Sequence, residues 1–268
     1  MSFYNSLSGL KNAQTDLNVI AHNIANAETA GFKKSRVDFG DIVAGSAFTN
    51  PKLTQGIGST VESITQNFSI GPIEQTGSAL DLAITGDGFF TTVNADTDKR
   101  LFTRNGSFTT DENGFIHDGS MNRLQLFAPG ADPLVDPPVD AQIPLVNGGG
   151  AGFAGLAIDV DGTVTATYDD GSNDIIGTVA LASFVSPSGL QQVGSSNWSA
   201  TGLSGTPTYG QPTFGAFGQL LSGALERSNV DIAEELVSLI TAQRYFQANA
   251  KAIDTATQIS QTIINLRS

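Results

Sequence analysis

The sequence predicts an α+β fold. Long N- and C-terminal helices pair as a coiled coil, flanking a central, mostly antiparallel β domain and an extended linker segment. Three observations predict it. Ser228 to Leu266 contains neither Gly nor Pro, and its apolar residues recur at heptad spacing. The N-terminal stretch repeats that spacing. Between them, short alternating runs are punctuated by Gly and Pro, the signature of turn-rich β structure. The expected division is residues 1–33 with 228–268 as the terminal coiled-coil domain, 34–70 as the linker, and 71–227 as the β domain.

In the N-terminal helix, residues 1 to about 28, Phe3, Leu7, Leu10, Leu17, Ala21 and Ile24 recur at steps of 4, 3, 7, 4 and 3. In the C-terminal helix Ile232, Leu236, Leu239, Phe246, Ala250 and Ile253 recur at the same steps. Gln14 and Gln243 hold the skipped positions. A second stripe, Ala252, Ala256, Ile259, Ile263 and Leu266, takes over further along. Such narrow seams suit helix pairing. At 1.5 Å per residue the C-terminal helix would be roughly 57 Å long, more than a small domain can cover. Ser228 or Asn229 is the expected N-cap, with Asp231, Glu234 and Glu235 in the positive first turns. Gly31 is the expected residue closing the first helix, with Lys33 and Lys34 beside its negative end.

Residues 34–70 read as extended and loosely structured: Asn50-Pro51 and Gly56-Ile57-Gly58 break any helix, and Val61 to Ile70 alternates as a strand does. From Gly71 the β signals strengthen. Leu80, Leu82 and Ile84 alternate with polar or small residues, Gly86-Asp87-Gly88 turns the chain, and Phe89 to Val93 is the next strand. Asn105-Gly106 reads as a hairpin turn between 101–104 and 107–109, and Asn113-Gly114 and Asp118-Gly119 as two further turns. Pro129 to Pro144 is a connector, and strands resume at 156–160, 164–168 and 178–185. Residues 186–222 are rich in Gly, Ser and Pro, with Trp198, Tyr209, Phe214 and Phe217 as anchors.

Composition narrows the function. A formal net charge of −13 leaves no basic stripe for nucleic acid and would be repelled by an anionic membrane. No apolar run is long enough to span a bilayer, and no secretory signal pattern opens the chain. Cysteine is absent, which excludes disulfides and thiolate metal sites. His22 and His117 have no ligand-like spacing, and no nucleophile elbow exists. Asp159 to Gly162 and Asp169 to Asp174 lack the acidic twelfth position of a calcium loop and read as hairpin turns. No catalytic residue, cofactor site or metal site is expected.

Four segments resemble the axial proteins of the bacterial flagellum, the rod and hook proteins. They are Asn23-Ile24-Ala25-Asn26-Ala27-Glu28-Thr29-Ala30-Gly31-Phe32-Lys33; Gln75 to Phe90, which contains Asp81, Gly86 and Gly88; Phe102-Thr103-Arg104-Asn105-Gly106-Ser107-Phe108; and Leu225 to Asp231, with Ser228 and Asn229, followed by Ala242-Gln243-Arg244. They occur in family order across both ends and the middle.

The resemblance implies a structural subunit, not an enzyme. It would form a helical homopolymer that joins neighbouring axial proteins (rod, hook–filament junction, cap) and leaves the cell through the flagellar type III export apparatus. Leu7, Leu10, Leu17, Ile24, Leu236, Leu239, Phe246 and Ile253 are the expected assembly seam. Within the family the ends look more hook-like: Ser8-Gly9-Leu10, Phe39 to Ser46, Gln247-Ala248-Asn249-Ala250 and Ile264 to Arg267. Against this, the interval from Pro144 to Leu156 is too short for the additional outer domain of many hook proteins, so a periplasmic rod subunit is the alternative to an extracellular hook. The remote alternative is a secreted β-rich adhesin or binding module, which would use Trp198 or Tyr209.

Overall fold

The computed structural model describes residues 2–44, 55–133 and 135–266. The chain divides into two compact units. The first comprises Met1–Ala27, Lys34–Asn67 and Val230–Ser268, and the second Glu28–Lys33 and Phe68–Asn229. The fold is α+β, as expected: helices stand at both ends, with a large antiparallel sheet between them in sequence.

In the first unit, α1 (Ser2–Ala25) packs against α2 (Ile232–Leu266) and against the hairpin of β1 (Ser35–Ala44) and β2 (Gln55–Gln66). Small residues permit the close approach. A side chain on Gly9 of α1 would lie 2.7 Å from the Asn249 amide of α2. Gly58 of β2, at φ +130, lies over α1, where a Cβ would meet Ser8 Oγ at 2.5 Å. Asn12 of α1 donates to Ser59 Oγ at 2.8 Å.

This hairpin is one departure from expectation. The described part of the segment expected as a loose linker is a paired antiparallel ladder, from Ser35↔Gln66 to Ala44↔Gln55, bent by irregularities at Asp38/Phe39 and Ile42/Val43. The alternation from Val61 lies in β2, which packs on α1. Asn50-Pro51 and Gly45-Ser46 fall outside the described residues.

The helix ends also differ. α1 stops at Ala25, so Gly31 does not cap it. Instead Gly31, at φ +67, passes so near the β unit's own Arg104–Asn105 backbone that a Cβ would lie 2.3 Å from Asn105 N. The N-cap of α2 is Asp231, whose Oδ1 accepts from the amides of Ala233 (2.8 Å) and Glu234 (3.2 Å). It displaces Ser228 and Asn229 because it immediately precedes Ile232. At 35 residues α2 is about 52 Å long.

The second unit holds β3 (Ile73–Gln75), β4 (Leu82–Thr85), β5 (Phe89–Asn94), β6 (Arg100–Thr103), β7 (Phe108–Thr110), β8 (Ile116–Asp118), β9 (Asn122–Phe127), β10 (Val139–Asp140), β11 (Phe153–Ile158), β12 (Thr163–Tyr168), β13 (Asn173–Val179) and β14 (Leu181–Ser183). β15 (Gln191–Gly194), β16 (Asn197–Ser199), β17 (Thr208–Gly210), β18 (Gln219–Ser222) and β19 (Ala224–Glu226) follow. The main path of its sheet runs β11-β12-β13-β9-β5-β6-β16-β15, and β4 pairs with β18 and β3 with β19.

Adjacent Phe89 and Phe90 point to opposite faces, as strand pleating requires. Phe90 joins the larger core with Leu82, Ile116, Leu124 and Val179, and Phe89 joins Phe102, Phe184, Leu190 and Trp198.

The turns at Asn113-Gly114 and Asp161-Gly162 join paired strands as expected. Asn105-Gly106 does not. β6 pairs with β5 and β16, while β7 pairs with β8. Gly106 is needed for another reason: a Cβ there would lie 1.7 Å from Leu82 O, at a backbone crossing. The Pro129–Pro144 connector contributes β10 to the sheet edge beside β9. Phe214, expected as an anchor, is exposed in a turn between Thr213 (φ +66) and Gly215 (φ +64), whereas Trp198 is fully buried.

Candidate assembly surface

Each unit contains a buried polar anchor that begins at one of two neighbouring lysines. Lys34 reaches α2 within the helical unit. Its Nζ lies 2.7 Å from Glu235 Oε1 and 3.3 Å from Glu234 Oε1. Burial pulls the Lys34 ammonium pKa down, but the hydrogen bonds and charges of Glu235 and Glu234 outweigh it and raise it. Glu235 is buried and also accepts from Asn23 Nδ2 at 3.1 Å. Asn23 in turn donates to Ser35 O at 2.8 Å and accepts from Ser35 N at 2.9 Å, so one amide ties α1, β1 and α2. Asp16, half-buried on α1, borders the same cavity with Lys34, Arg36, Glu234 and Glu235. Burial, and then the Glu235 charge, raise its pKa.

Lys33 turns into the β unit. Its Nζ lies 2.5 Å from Glu226 Oε1, with neither side chain exposed. It also donates to Ser69 O at 2.7 Å. Glu226 accepts from Gly71 N at 2.9 Å through Oε1 and from Arg104 Nη1 at 3.3 Å through Oε2. Arg104 donates to Gly86 O at 2.8 Å and lies over the Phe89 ring. Burial lowers the pKa of both Lys33 and Arg104, and Glu226 opposes that shift.

The motif residues divide between these anchors and surface positions. Asn23, Gly31 and Phe32 are buried, as is Ser228. Asn26 bonds back to His22 O, and Asn229 donates to Ser69 O and Oγ. Asp81 accepts from Thr76 Oγ1, and its backbone O accepts from Gly223 and Ala224. Gly86 and Gly88 adopt φ +133 and +128, where L side chains are strained. Gln243 and Arg244 are exposed. His22 Nδ1 lies 3.3 Å from Asn26 Nδ2, and His117 Nδ1 lies 3.3 Å from Thr109 Oγ1 and 3.0 Å from Asp118 O. Among the described residues no group of three His, Asp or Glu side chains is placed to hold a metal.

The helical unit leaves much apolar surface in water. Leu7, Leu10, Leu17 and Ile24 are half-buried, flanking a buried line through Ala13, Ile20, Asn23 and Ala27. On α2 the least exposed line runs through Glu235, Leu239, Ala242, Phe246, Asn249 and Ile253. Leu236 lies one position off this line and is 48% exposed, in a stripe with Ile232 and Ile240. Farther along, Ile259, Ile263 and Ile264 are exposed on a segment whose described side chains beyond Ala256 are all exposed. Exposed apolar stripes of this kind are common at interaction surfaces. Glu235, Asn249 and Lys34 carried no signal in the apolar pattern, because polar seam residues are invisible to hydrophobic periodicity.

α2, 35 residues long, packs on α1 along residues 235–253 and exposes an apolar stripe, the build of a structural subunit. Three family models match in order: flagella basal body rod protein over residues 3–33, the D1 domain of flagellar hook protein FlgE/F/G over 83–166, and the C-terminal part of flagellar basal body rod FlgEFG protein over 221–266. The chain is 38% identical to the flagellar basal-body rod protein FlgG of Bacillus subtilis, covering 99% of this chain and 98% of the relative. It is 34% identical to FlgG of Buchnera aphidicola from Schizaphis graminum, covering 99% of each. Against the flagellar hook protein FlgE of Salmonella typhimurium the identity is 27% over 411 aligned positions, covering all of both chains. The chain therefore belongs to the flagellar rod and hook family, whose members are structural proteins and not enzymes.

Proposed function

We propose that the chain polymerises into the flagellar hook, the shaft that carries motor torque to the filament. Polymerisation is supported by the apolar stripe that α2 exposes, and the hook in particular by the hook-like segments Ser8-Gly9-Leu10 and Gln247 to Ala250, which lie against each other where α1 meets α2. Further copies of the chain cover Ile232, Leu236 and Ile240 and the Ile259–Ile264 end of α2. Burying these residues supplies the free energy to order the chain ends, at about 25 cal/mol per Å² of apolar surface. Leu7, Leu10, Leu17, Ile24, Leu236, Leu239, Phe246 and Ile253 form the seam of that polymer. Rod, junction and cap proteins meet the same surface at the shaft ends, and the subunit travels through the flagellar export apparatus.

A rod subunit is the second reading, favoured by the length match and 38% identity to the Bacillus rod protein and by the 411-position hook alignment, which far exceeds 268 residues. Deleting the gene and imaging purified basal bodies distinguishes the two. Complete rods and outer rings without a curved shaft are expected for a hook subunit. A truncated rod lacking outer rings overturns the hook reading in favour of the rod.

A further inference from the structure

Glu226 gathers the three segments through which the chain enters and leaves the β unit. Lys33 closes the segment 28–33, Ser69 and Gly71 open the segment from Phe68, and Glu226 itself ends β19, three residues before the unit's last residue. Other contacts hold the same segments. Gly31 N donates to Glu226 O at 2.8 Å, and Arg227 N donates to Pro72 O at 2.8 Å. Phe68 packs edge-on against Trp198, with centroids 5.4 Å apart.

The buried charges do not balance, since Lys33 and Arg104 share one carboxylate. Without Glu226 the unit would enclose two cations with no acid bonded to them, and Asp87 acts on Arg104 only through its charge. A buried charge stripped of its partner is strongly destabilising, whereas replacing a pair by apolar groups is tolerated.

We propose that Glu226 is a closing latch, which lets the β unit complete its fold only when segment 28–33, segment 68–71 and β19 are all in place. The latch lies wholly within the β unit, so it stands whether the shaft is a rod or a hook.

The test uses the full chain, with its single tryptophan, Trp198, as reporter. Urea unfolding is compared for the unaltered chain, Glu226→Gln, Lys33→Met and the double variant. Glu226→Gln is expected to raise the unfolding equilibrium constant on the order of a hundredfold. Lys33→Met leaves a neutral Arg104–Glu226 pair and should raise it by about tenfold or less. The double variant should recover at least about tenfold over Glu226→Gln, because it removes one of the two stranded cations. If Glu226→Gln cannot be obtained folded, recovery of folded protein in the double variant carries the same meaning. The proposal is overturned if Glu226→Gln matches the unaltered chain, or if adding Lys33→Met brings no recovery.

Discussion

Asn23 of α1 donates to Glu235 of α2 at 3.1 Å, across 212 residues of sequence. The same amide exchanges two hydrogen bonds with the Ser35 backbone, so the N-terminal helix, the hairpin and the C-terminal helix meet on one side chain. Replacing Asn23 by Leu leaves Ser35 N and O without these partners and removes a donor from the Glu235 carboxylate. The expected cost is about 2–3 kcal/mol, since unmet buried polar groups cost more than the bond itself contributes. Urea unfolding followed by helical circular dichroism measures it; an unchanged midpoint would refute the role given to Asn23.

Acid should tighten the helical unit at Asp16. Burial and then Glu235 raise its folded pKa above the ordinary 3.8, so the folded chain holds this proton more firmly than the unfolded one. Asp16 therefore favours folding most below 3.8, and that contribution is lost as pH rises through the folded pKa. Asp38 of the same unit shifts the other way, chiefly through its hydrogen bond from Thr65, and its contribution is lost as pH falls. The difference between variant and unaltered chain isolates Asp16. Asp16→Asn should raise the melting temperature at pH 7 by roughly 1–2 °C, solvent screening keeping the effect small, and by less near pH 4. An equal gain at both pH values would exclude this origin.

Leu239→Asp places a charge on the least exposed line of α2. It should abolish polymers seen by electron microscopy and sedimentation, while the near-ultraviolet dichroism of Trp198 in the β unit stays unchanged. Polymers formed by the variant would exclude Leu239 from the assembly seam.

Gly31→Ala should be among the most damaging single-methyl changes in the chain. The new Cβ meets Asn105 N at 2.3 Å, and a φ of +67 already disfavours any L side chain. A loss of about 2–4 kcal/mol is expected, from overpacking added to backbone strain. Gly77→Ala, also at positive φ but facing open space, is the control and should lose about 1 kcal/mol. Equal losses would mean that conformation alone, and not the Asn105 approach, requires Gly31.

Much of the architecture could be read from local patterns. The two helices announce themselves through periodicity, helped in the C-terminal one by the absence of Gly and Pro, and the hairpin turns at Asn113-Gly114 and Asp161-Gly162 through their dipeptides. The family was legible for a different reason: its motifs are backbone requirements, such as Gly31, Gly86 and Gly88, that leave fixed letters in the sequence. The same dipeptide reasoning failed at Asn105-Gly106, because a glycine demanded by a backbone crossing at Leu82 looks identical to one demanded by a turn.

The sequence by itself determined the two terminal helices, the β-rich middle and the family, because periodicity and turn chemistry are set by residues a few positions apart. Only the tertiary structure decided which partners Lys33 and Lys34 take. One peptide bond apart, they go to Glu226 and Glu235, in different units and some two hundred residues away. Ion pairing depends on distance in space, and charged residues carry no periodic mark of the carboxylate they will meet. The same limit hid Glu235 and Asn249 among the apolar positions of α2: their places follow from which face of α2 packs on α1, a choice made by side-chain fit between elements far apart in the chain.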